Sequence, residues 1–168
     1  TYVVTQSVTS VGGCVSTYTA SVTVASAPVA LFTTPLDICK GVASAFTNTS
    51  STPAGTSITS YAWDFTNDGT TDNTTASPIF TYPTPGTYTP ELTITNSGGC
   101  TNTYTLAVNV HDIPVPSFTA SSPCQGVATS FTDASTINAP STITVYAWDY
   151  TNDGVTDATT TNPTFTFP

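Results

Sequence analysis

Apolar and polar residues alternate along this chain with the period of a β-strand. Tyr61, Trp63 and Phe65 alternate with smaller or polar residues, which predicts a strand with one buried face. The Asn-Asp-Gly that follows favours a tight turn. The same stretch returns at 146–154, with Trp148 in the place of Trp63. We therefore predict a chain of repeated units of about 85 residues, each organised around a Trp strand.

The repeat divides the chain into three segments. Residues 1–26 are predicted to be the C-terminal hairpin of one unit, with its two strands joined at Gly12-Gly13. Residues 27–112 form a complete unit of about seven short strands, and residues 113–168 form the N-terminal two-thirds of the next unit. Short strands with regularly spaced turns are typical of an immunoglobulin-like sandwich. The predicted fold class is all-β, with tandem immunoglobulin-like β-sandwiches.

The aromatic residues of the inward faces are expected to build the core of each unit. These core residues are Phe46, Trp63, Phe80, Phe131, Trp148 and Phe165.

The two ends of the chain occupy nearly consecutive positions of the repeat. Thr1 stands in the place of Thr87, and Pro168 stands in the place of Pro83. Either the chain is a fragment of a longer array, or neighbouring chains complete each other's sandwich by strand donation. We favour the fragment, because a half-sandwich with open edges would be a poor isolated product. No signal peptide is visible, and we interpret the chain as part of a mature protein.

Charged residues are scarce, and this excludes several classes of partner. Lys40 is the one Lys or Arg against ten acidic residues, and the net charge is −9. Such a chain has nothing to neutralise phosphate, so nucleic acids and anionic membranes are disfavoured. No apolar run approaches ~20 residues, so no membrane insertion is expected. The abundance of Thr and the near absence of Lys and Arg suit an extracellular setting.

Several ordered motifs resemble the polycystic-kidney-disease (PKD) domain. They lie at residues 61–69, 77–82, 85–88, 95–100, 146–154 and 162–167. The cysteine placement and the Thr-rich composition are similar to PKD repeats of very large Bacteroidota surface proteins, including adhesins of gliding bacteria. The resemblance implies an immunoglobulin-like sandwich that serves as a spacer or interaction module without catalysis.

Two positions depart from the pattern of this family. Pro90 lies inside a strand where an aliphatic residue is usual, which predicts a bulge or an edge. Gln6 stands where Leu92 stands in the complete unit. That copy of the strand is therefore expected to carry an inward polar group or a local shift of register.

From this reading we expect a structural repeat of a long secreted or cell-surface stalk, adhesin or filament. Its partners would be neighbouring repeats of the same chain or identical subunits. The alternative is a glycan- or protein-binding module attached to a secreted hydrolase. Exposed aromatic residues would favour the alternative, and the ones to examine are Tyr18, Tyr61, Tyr104 and Tyr146. Core packing of these tyrosines is the interpretation we favour.

The cysteines recur at fixed places in the repeat, namely Cys14, Cys39, Cys100 and Cys124. No Cys-x-x-Cys motif is present, so disulfides are favoured over zinc. In a sandwich of this topology Cys39 lies at the C-terminal pole and Cys100 at the N-terminal pole, beyond the ~7 Å that a disulfide spans. We favour inter-domain pairing of Cys124 with a Cys100 equivalent and of Cys39 with a Cys14 equivalent. A Cys39–Cys100 bond is the alternative.

Carboxylates and amides cluster at the turn after each Trp strand. They are Asp64, Asn67, Asp68, Asp72, Asp149, Asn152, Asp153 and Asp157. Oxygen ligands at a Gly turn are typical of Ca²⁺ sites, although this spacing is not that of an EF-hand. We favour a turn in which these side chains cap backbone N–H groups. No other cofactor is predicted.

No residue pattern predicts catalysis. His111 and Asp112 lie in the second linker without a nucleophile motif, and we interpret both as ordinary linker residues. An isopeptide cross-link would need a recurring Lys, and Lys40 is not repeated. We therefore expect a protein that is not an enzyme.

Overall fold

The computed structural model describes residues 1–121 and 124–168, and strands and turns are the only regular secondary structure within them. The strands are β1 (Tyr2–Thr9), β2 (Val15–Val22), β3 (Phe32–Thr33), β4 (Asp37–Cys39), β5 (Ala43–Ala45), β6 (Thr47–Asn48), β7 (Ile58–Asp64), β8 (Ile79–Thr81), β9 (Gly86–Tyr88), β10 (Glu91–Asn96), β11 (Thr101–Thr105), β12 (Val108–His111), β13 (Phe118–Ala120), β14 (Ala128–Asp133) and β15 (Thr164–Thr166). No helix long and apolar enough to cross a membrane occurs in this part of the chain. The all-β prediction is confirmed.

The chain forms two compact units that interleave along the sequence. The first comprises Thr1–Thr34, Ala45–Phe80 and Thr89–Ala107. The second comprises Pro35–Ser44, Thr81–Tyr88 and Val108–Pro168. The domain boundaries drawn after residues 26 and 112 follow the sequence repeat and stay a prediction.

The first unit is built around the Trp63 strand. Strand β10 lies at the centre of a sheet, antiparallel to both β7 and β11, while β3 and β6 form a separate pair. Strand alternation turns Trp63, Leu92 and Ile94 inward, and all three are fully buried. Phe46 and Phe65 are also fully buried, with ring centroids 4.8 Å apart. The half-buried ring of Phe80 stacks on Phe65 at 4.1 Å.

The second unit contains a sheet in which β12 pairs with two strands of opposite direction. Strand β4 runs parallel to β12, and β9 runs antiparallel to it. Ile38, Val108 and Val110 are buried, and the buried ring of Tyr82 packs on Tyr88 at 4.3 Å. In a further sheet β14 lies between β13 and β15.

An aromatic cluster in the second unit corresponds to the core of the first but is less covered. The Trp148 ring packs on Phe131 at 5.6 Å and on Phe118 at 5.2 Å. Phe131 is buried, while Trp148 and Phe165 are half-buried. Phe118 is 56% exposed, whereas Phe32 in the corresponding place of the first unit is 3% exposed.

Pro90 interrupts the strand in which the sequence places it. Strand β9 ends at Tyr88 and β10 begins at Glu91, because Pro90 has no N–H to donate to a ladder. The Pro90 ring is fully buried, and its carbonyl accepts a hydrogen bond from the N–H of Leu106 at 3.3 Å. The departure predicted from the sequence takes the form of a break between two strands.

The hairpins β1–β2 and β10–β11 are copies of one another. Gln6 lies opposite Tyr18, and Leu92 lies opposite Tyr104, in two ladders of matching register. The register is unbroken at Gln6, so no local shift occurs there. The two hairpins differ in burial. Every residue of β1 is exposed, whereas buried and half-buried residues alternate along β10.

Replacing Phe46 by Ala is expected to lower the free energy of unfolding by about 3–5 kcal/mol, because it leaves a cavity beside Phe65. Chemical denaturation of the full chain measures this. Ile79→Ala is the matched control, since Ile79 is 67% exposed. Equal losses in the two variants would show that Phe46 does not hold the core together.

Candidate functional site

The turn after β7 is closed by carboxylates that accept hydrogen bonds from backbone N–H groups. Asp64 accepts from the N–H of Asp68 at 3.2 Å and of Gly69 at 2.7 Å. Asp72 accepts from the N–H of Phe65 at 2.7 Å. These three bonds tie both ends of the turn to each other.

Asn67 and Asp68 shape the tip of the same turn. Asp68 accepts from the N–H of Thr70 at 2.8 Å, and this bond holds the pKa of Asp68 below its ordinary value. Asn67 adopts a left-handed φ of 57°, which Asn tolerates better than most residues. Its side-chain amide donates to the Thr89 hydroxyl at 3.1 Å.

The second copy of the turn has the same geometry. Asp149 accepts from the N–H of Gly154 at 2.8 Å and of Asp153 at 3.2 Å, and Asp157 accepts from the backbone at 2.7 Å. Asn152 has a φ of 55°. The Gly154 hydrogen bond is the main cause that lowers the pKa of Asp149. The local sequence therefore determines this turn in both units.

These hydrogen bonds bear on the calcium hypothesis. A calcium site needs six to eight oxygen ligands that converge on one point, whereas these carboxylates turn toward backbone N–H groups. Within residues 1–121 and 124–168, no group of three His, Cys, Asp or Glu side chains is arranged to hold a metal ion. The side chains fit a hydrogen-bonded turn better than a calcium site. Calcium binding stays a prediction.

The second linker contains a buried carboxylate, Asp112, which forms an ion pair with the partly exposed Lys40. Lys40 pairs with the carboxylate of Asp112, and the side-chain amide of Asn138 donates to the same carboxylate. The backbone N–H of Asp112 donates to the Ser141 hydroxyl at 3.0 Å. The Asp112 side chain is 1% exposed. The Lys40 hydrogen bond outweighs the effect of burial and lowers the pKa of Asp112 to about 2.

Sequence reasoning missed this cluster. It treats Asp112 as an ordinary linker residue and Lys40 as a residue without a recurring role. The structure corrects the interpretation of Asp112, because the chain's one Lys or Arg neutralises its buried carboxylate. The available signal was the coincidence of a single cation with an Asp that the apolar residue Ile113 follows in the linker.

His111, the other linker residue considered for catalysis, pairs with a surface carboxylate. Its Nε2 lies 2.8 Å from Oδ1 of Asp37, and both side chains are exposed. The pair lies across the parallel β4–β12 ladder, and exposed pairs of this kind contribute little to stability.

Each central cysteine lies beside one linker of the 27–112 unit. Cys100 Sγ is 3.6 Å from the carbonyl oxygen of Ala25, in the linker that begins the unit. Cys39 lies opposite His111, in the linker that ends it. The expectation that the two cysteines lie at opposite poles stays a prediction.

The disulfide expectation itself is not supported. All four cysteines carry free thiols, and Cys14, Cys39 and Cys124 are exposed while Cys100 is half-buried. The alternative Cys39–Cys100 bond is not formed. Pairing with cysteines of other repeats stays a prediction.

The four tyrosines examined for sugar binding lie in different surroundings. Tyr18 is 71% exposed on its hairpin, and Tyr61 is half-buried. Tyr104 is half-buried and packs edge-on against Phe32 at 5.3 Å. Tyr146 lines a cleft in the second unit, and burial is the main cause that raises its pKa.

That cleft has a volume of about 630 Å³. Its lining residues are Pro114, Pro116, Ser117, Phe118, Phe131, Asp133, Ser135, Ile143, Val145, Tyr146, Ala147, Trp148, Asp149, Tyr150 and Phe167. Aromatic and aliphatic side chains dominate, with two carboxylates among them. This lining suits an apolar partner better than a catalytic reaction.

Asp64→Ala is expected to lower the free energy of unfolding by about 1–3 kcal/mol, because two turn N–H groups lose their acceptor. Denaturation of the full chain measures this loss. Asp37→Ala is the matched control at an exposed carboxylate. A stability that rises on adding calcium to the wild type, but not to Asp64→Ala, would contradict a purely hydrogen-bonded turn.

The Asp112 carboxylate is expected to make stability fall at low pH. Its pKa is about 2 in the folded chain against an ordinary 3.8, so its contribution is fully present above about pH 4 and is lost as the pH falls through about 2. Urea denaturation between pH 2 and 5 measures the free energy of unfolding. As the pH is lowered, this free energy should fall more steeply for the wild type than for Asp112→Asn. Lys40→Met should also make the free energy of unfolding depend less on pH. The same pH dependence in all three chains would refute this role of the Asp112 carboxylate.

Comparisons with known proteins identify the family. The PKD domain family matches residues 25–110, and no significant match occurs among curated proteins. The PKD1 domain of the Vibrio cholerae metalloprotease PrtV is 37% identical, over 50% of this chain and 96% of that one, with a TM-score of 0.43. The PKD1 domain of Vibrio anguillarum Epp is 35% identical, over 51% of this chain and 95% of that one, with a TM-score of 0.44.

A further solved structure shares a more distant likeness. It comes from a study of promiscuous carbohydrate-binding modules of the β-sandwich superfamily and is 21% identical, with a TM-score of 0.48. The alignment covers 64% of this chain and 54% of that one. Since the family match spans half of the sequence, the chain belongs to the PKD domain family.

Proposed function

We propose that this chain is a structural repeat of a long extracellular stalk, adhesin or filament, which supplies length and mechanical strength. PKD domains are typical of extracellular or secreted proteins and are generally non-catalytic modules. The observation that supports the proposal is the cluster around the buried Asp112 carboxylate, which holds residues 111–116, the segment that the sequence predicts to join two repeats.

This cluster draws on both sides of the 111–116 linker. Lys40 belongs to the predicted repeat 27–112, whereas Asn138 and Ser141 belong to the predicted repeat 113–168. All three contact Asp112. A linker held from both sides in this way resists bending, as a load-bearing rod requires.

The 25–28 linker is held as well. The buried side chain of Asn96 donates to the carbonyl oxygen of Ser26 at 2.9 Å. Gly98 lies so close to this linker that an added Cβ would be 2.8 Å from Cβ of Ala25. The hairpin turn therefore packs against the linker, and there is no room for a side chain at Gly98.

The parallel pairing of β4 with β12 supports resistance to force. These strands lie near the start and at the end of the predicted repeat 27–112, and the N–H of Asn109 donates to the carbonyl of Leu36 at 2.7 Å. The N–H of Lys40 donates to the carbonyl of His111 at 2.9 Å. Pulling on the two ends of the repeat would load such bonds in shear, so that several must break together.

Removing the Asp112 carboxylate is expected to loosen the linker. Spin labels on Thr87→Cys and Thr160→Cys, with the four native cysteines changed to Ser, would report the distance across residues 111–116. We expect a narrow distribution in the otherwise unchanged chain and a broader one with Asp112→Ala. Asp37→Ala, which removes the surface pair with His111, is the matched control and should leave the distribution narrow. A broad distribution in the chain that retains Asp112 would contradict a stiff stalk.

A second candidate function is glycan binding, and the aromatic cleft of the second unit favours it. Trp148 and Tyr146 line this cleft, and aromatic faces are a common surface for sugars. Isothermal titration of the full chain with soluble oligosaccharides tests this function. Saturable binding that Trp148→Ala abolishes would support it over the stalk.

A further inference from the structure

Three groups of complementary reactivity meet at the Asp112 carboxylate. Its Oδ1 contacts Nζ of Lys40, and its Oδ2 accepts a hydrogen bond from Nδ2 of Asn138. An amine is a nucleophile, a side-chain amide is an acyl donor, and a carboxylate between them can move protons from one to the other. A nucleophile beside a base and close to an acyl group is the arrangement that covalent chemistry requires.

Backbone hydrogen bonds hold all three residues in place. The N–H of Lys40 donates to the carbonyl of His111 at 2.9 Å, which extends the β4–β12 ladder to the position beside Asp112. The N–H of Asp112 donates to the Ser141 hydroxyl at 3.0 Å, and the N–H of Ser141 donates to the carbonyl of Asn138 at 3.1 Å. All of these residues belong to the second compact unit. Groups that are already positioned react faster, because the entropy cost of bringing them together has been met.

The burial of the three side chains suits a reaction that releases a small product. The Asp112 carboxylate is buried, and its pKa of about 2 keeps it ionised at neutral pH, in the form that accepts a proton. Asn138 is exposed, so that a small molecule released from its side chain can leave to solvent. The base is therefore protected while the leaving group has an exit.

The three residues occur together at the 111–116 linker and not at its equivalent. None of them recurs where the repeat returns, and the residues at those positions are Gln125, Ser26 and Pro53. The 25–28 linker therefore has neither the base nor the side-chain amide. The single occurrence of Lys40 excludes an isopeptide bond in every unit, but it does not exclude a bond at one joint.

We propose that Lys40 and Asn138 form an isopeptide bond, with Asp112 as the catalytic residue. The ion pair between Lys40 and Asp112 is the reactant state of this step. The product is an amide between Nζ of Lys40 and Cγ of Asn138. It joins the predicted repeat 27–112 to the predicted repeat 113–168 by a second covalent connection beside the linker.

Bond formation moves protons through Asp112. The carboxylate takes one proton from the Lys40 ammonium group and leaves a neutral amine. The amine nitrogen attacks Cγ of Asn138, so that the Nζ–Cγ bond forms and the Cγ–Nδ2 bond breaks. Asp112 gives its proton to the leaving nitrogen and takes the second proton of the attacking nitrogen. The released ammonia accepts that proton and departs as ammonium, and the carboxylate is restored without any oxidant or co-reactant.

Intact mass spectrometry of the full chain tests the cross-link. The wild type should weigh less than its sequence by one ammonia, whereas an ion pair alone leaves the mass unchanged. Lys40→Met and Asn138→Ala should each have the full mass of their own sequence. Asn109→Ala, which removes an exposed Asn of β12, is the matched control and should still lose ammonia. An unchanged mass of the wild type would overturn the proposal, and loss of one water in place of ammonia would exclude Asn138 as the acyl donor.

Digestion of the denatured chain locates the bond. Lys40 is the one Lys or Arg of the chain, so a protease that cleaves after Lys cuts the unlinked chain once, into residues 1–40 and 41–168. An acylated Lys40 is not a cleavage site. The wild type should therefore stay whole, while Asn138→Ala is cut. Loss of ammonia together with cleavage after Lys40 would show a change at another amide and would overturn the cross-link.

The rate of ammonia loss tests the role of Asp112. Intact mass measured at intervals after cell-free synthesis of the full chain gives this rate. Asp112→Asn should slow it by about 10²–10⁴-fold, because general acid–base catalysis contributes a factor of this size. Asp37→Asn, at an exposed carboxylate, is the matched control and should react at the wild-type rate.

A conservative variant separates catalysis from folding. Asp112→Glu keeps a carboxylate and should react faster than Asp112→Asn. Equal rates in the wild type and Asp112→Asn, or equally slow reaction of the Glu and Asn variants, would show that the carboxylate does not catalyse bond formation.

The cross-link and the proposed stalk fail separately. A wild type of unchanged mass with a narrow label distribution across residues 111–116 would overturn the cross-link alone. A chain that has lost ammonia and still gives a broad distribution would overturn the stiff stalk alone.

Discussion

The structure depends on covering one face of the Trp strand. A sandwich this small has few large side chains, and Trp63 stacks on Phe65 while contacting Phe32 and Phe46 at the centre of the first unit. Its burial is complete because β10 lies alongside β7. Where the strand is covered, the aromatic rings form a dry core. Where it is not, as at Trp148, the same rings stay partly exposed.

A second constraint is the cost of burying a charged group in a chain that has few charges. A buried carboxylate is costly unless a cation neutralises it, and this chain has one Lys or Arg for that purpose. Lys40 contacts Asp112, a linker residue, and not the sandwich core. The electrostatic stabilisation is therefore concentrated at a joint between predicted repeats, which is where a stalk would otherwise bend.

The sequence predicted features that depend on near neighbours. Alternation around Trp63 predicted the strand, and the Asn-Asp-Gly motif predicted the turn that Asp64 closes. The burial of Asp112 was not predictable in this way, since Lys40 and Asn138 approach it from distant parts of the chain. Pro90 was predictable only in part. Its missing N–H predicted a disturbance of the strand, but not whether the strand would bulge or break. Cysteine pairing depends on which repeat lies next to each thiol, and the sequence of one stretch of the array does not contain that information.

The position of Lys40 has a consequence for chemical modification. Its ammonium group is the one side-chain amine of the chain, and it is held against a carboxylate with one-third of the side chain exposed. Acylation would remove the positive charge and leave the Asp112 carboxylate without its counterion. The reactivity of the Lys40 amine would thus report whether its contact with Asp112 is made, and modifying that amine is expected to loosen the segment around Asp112.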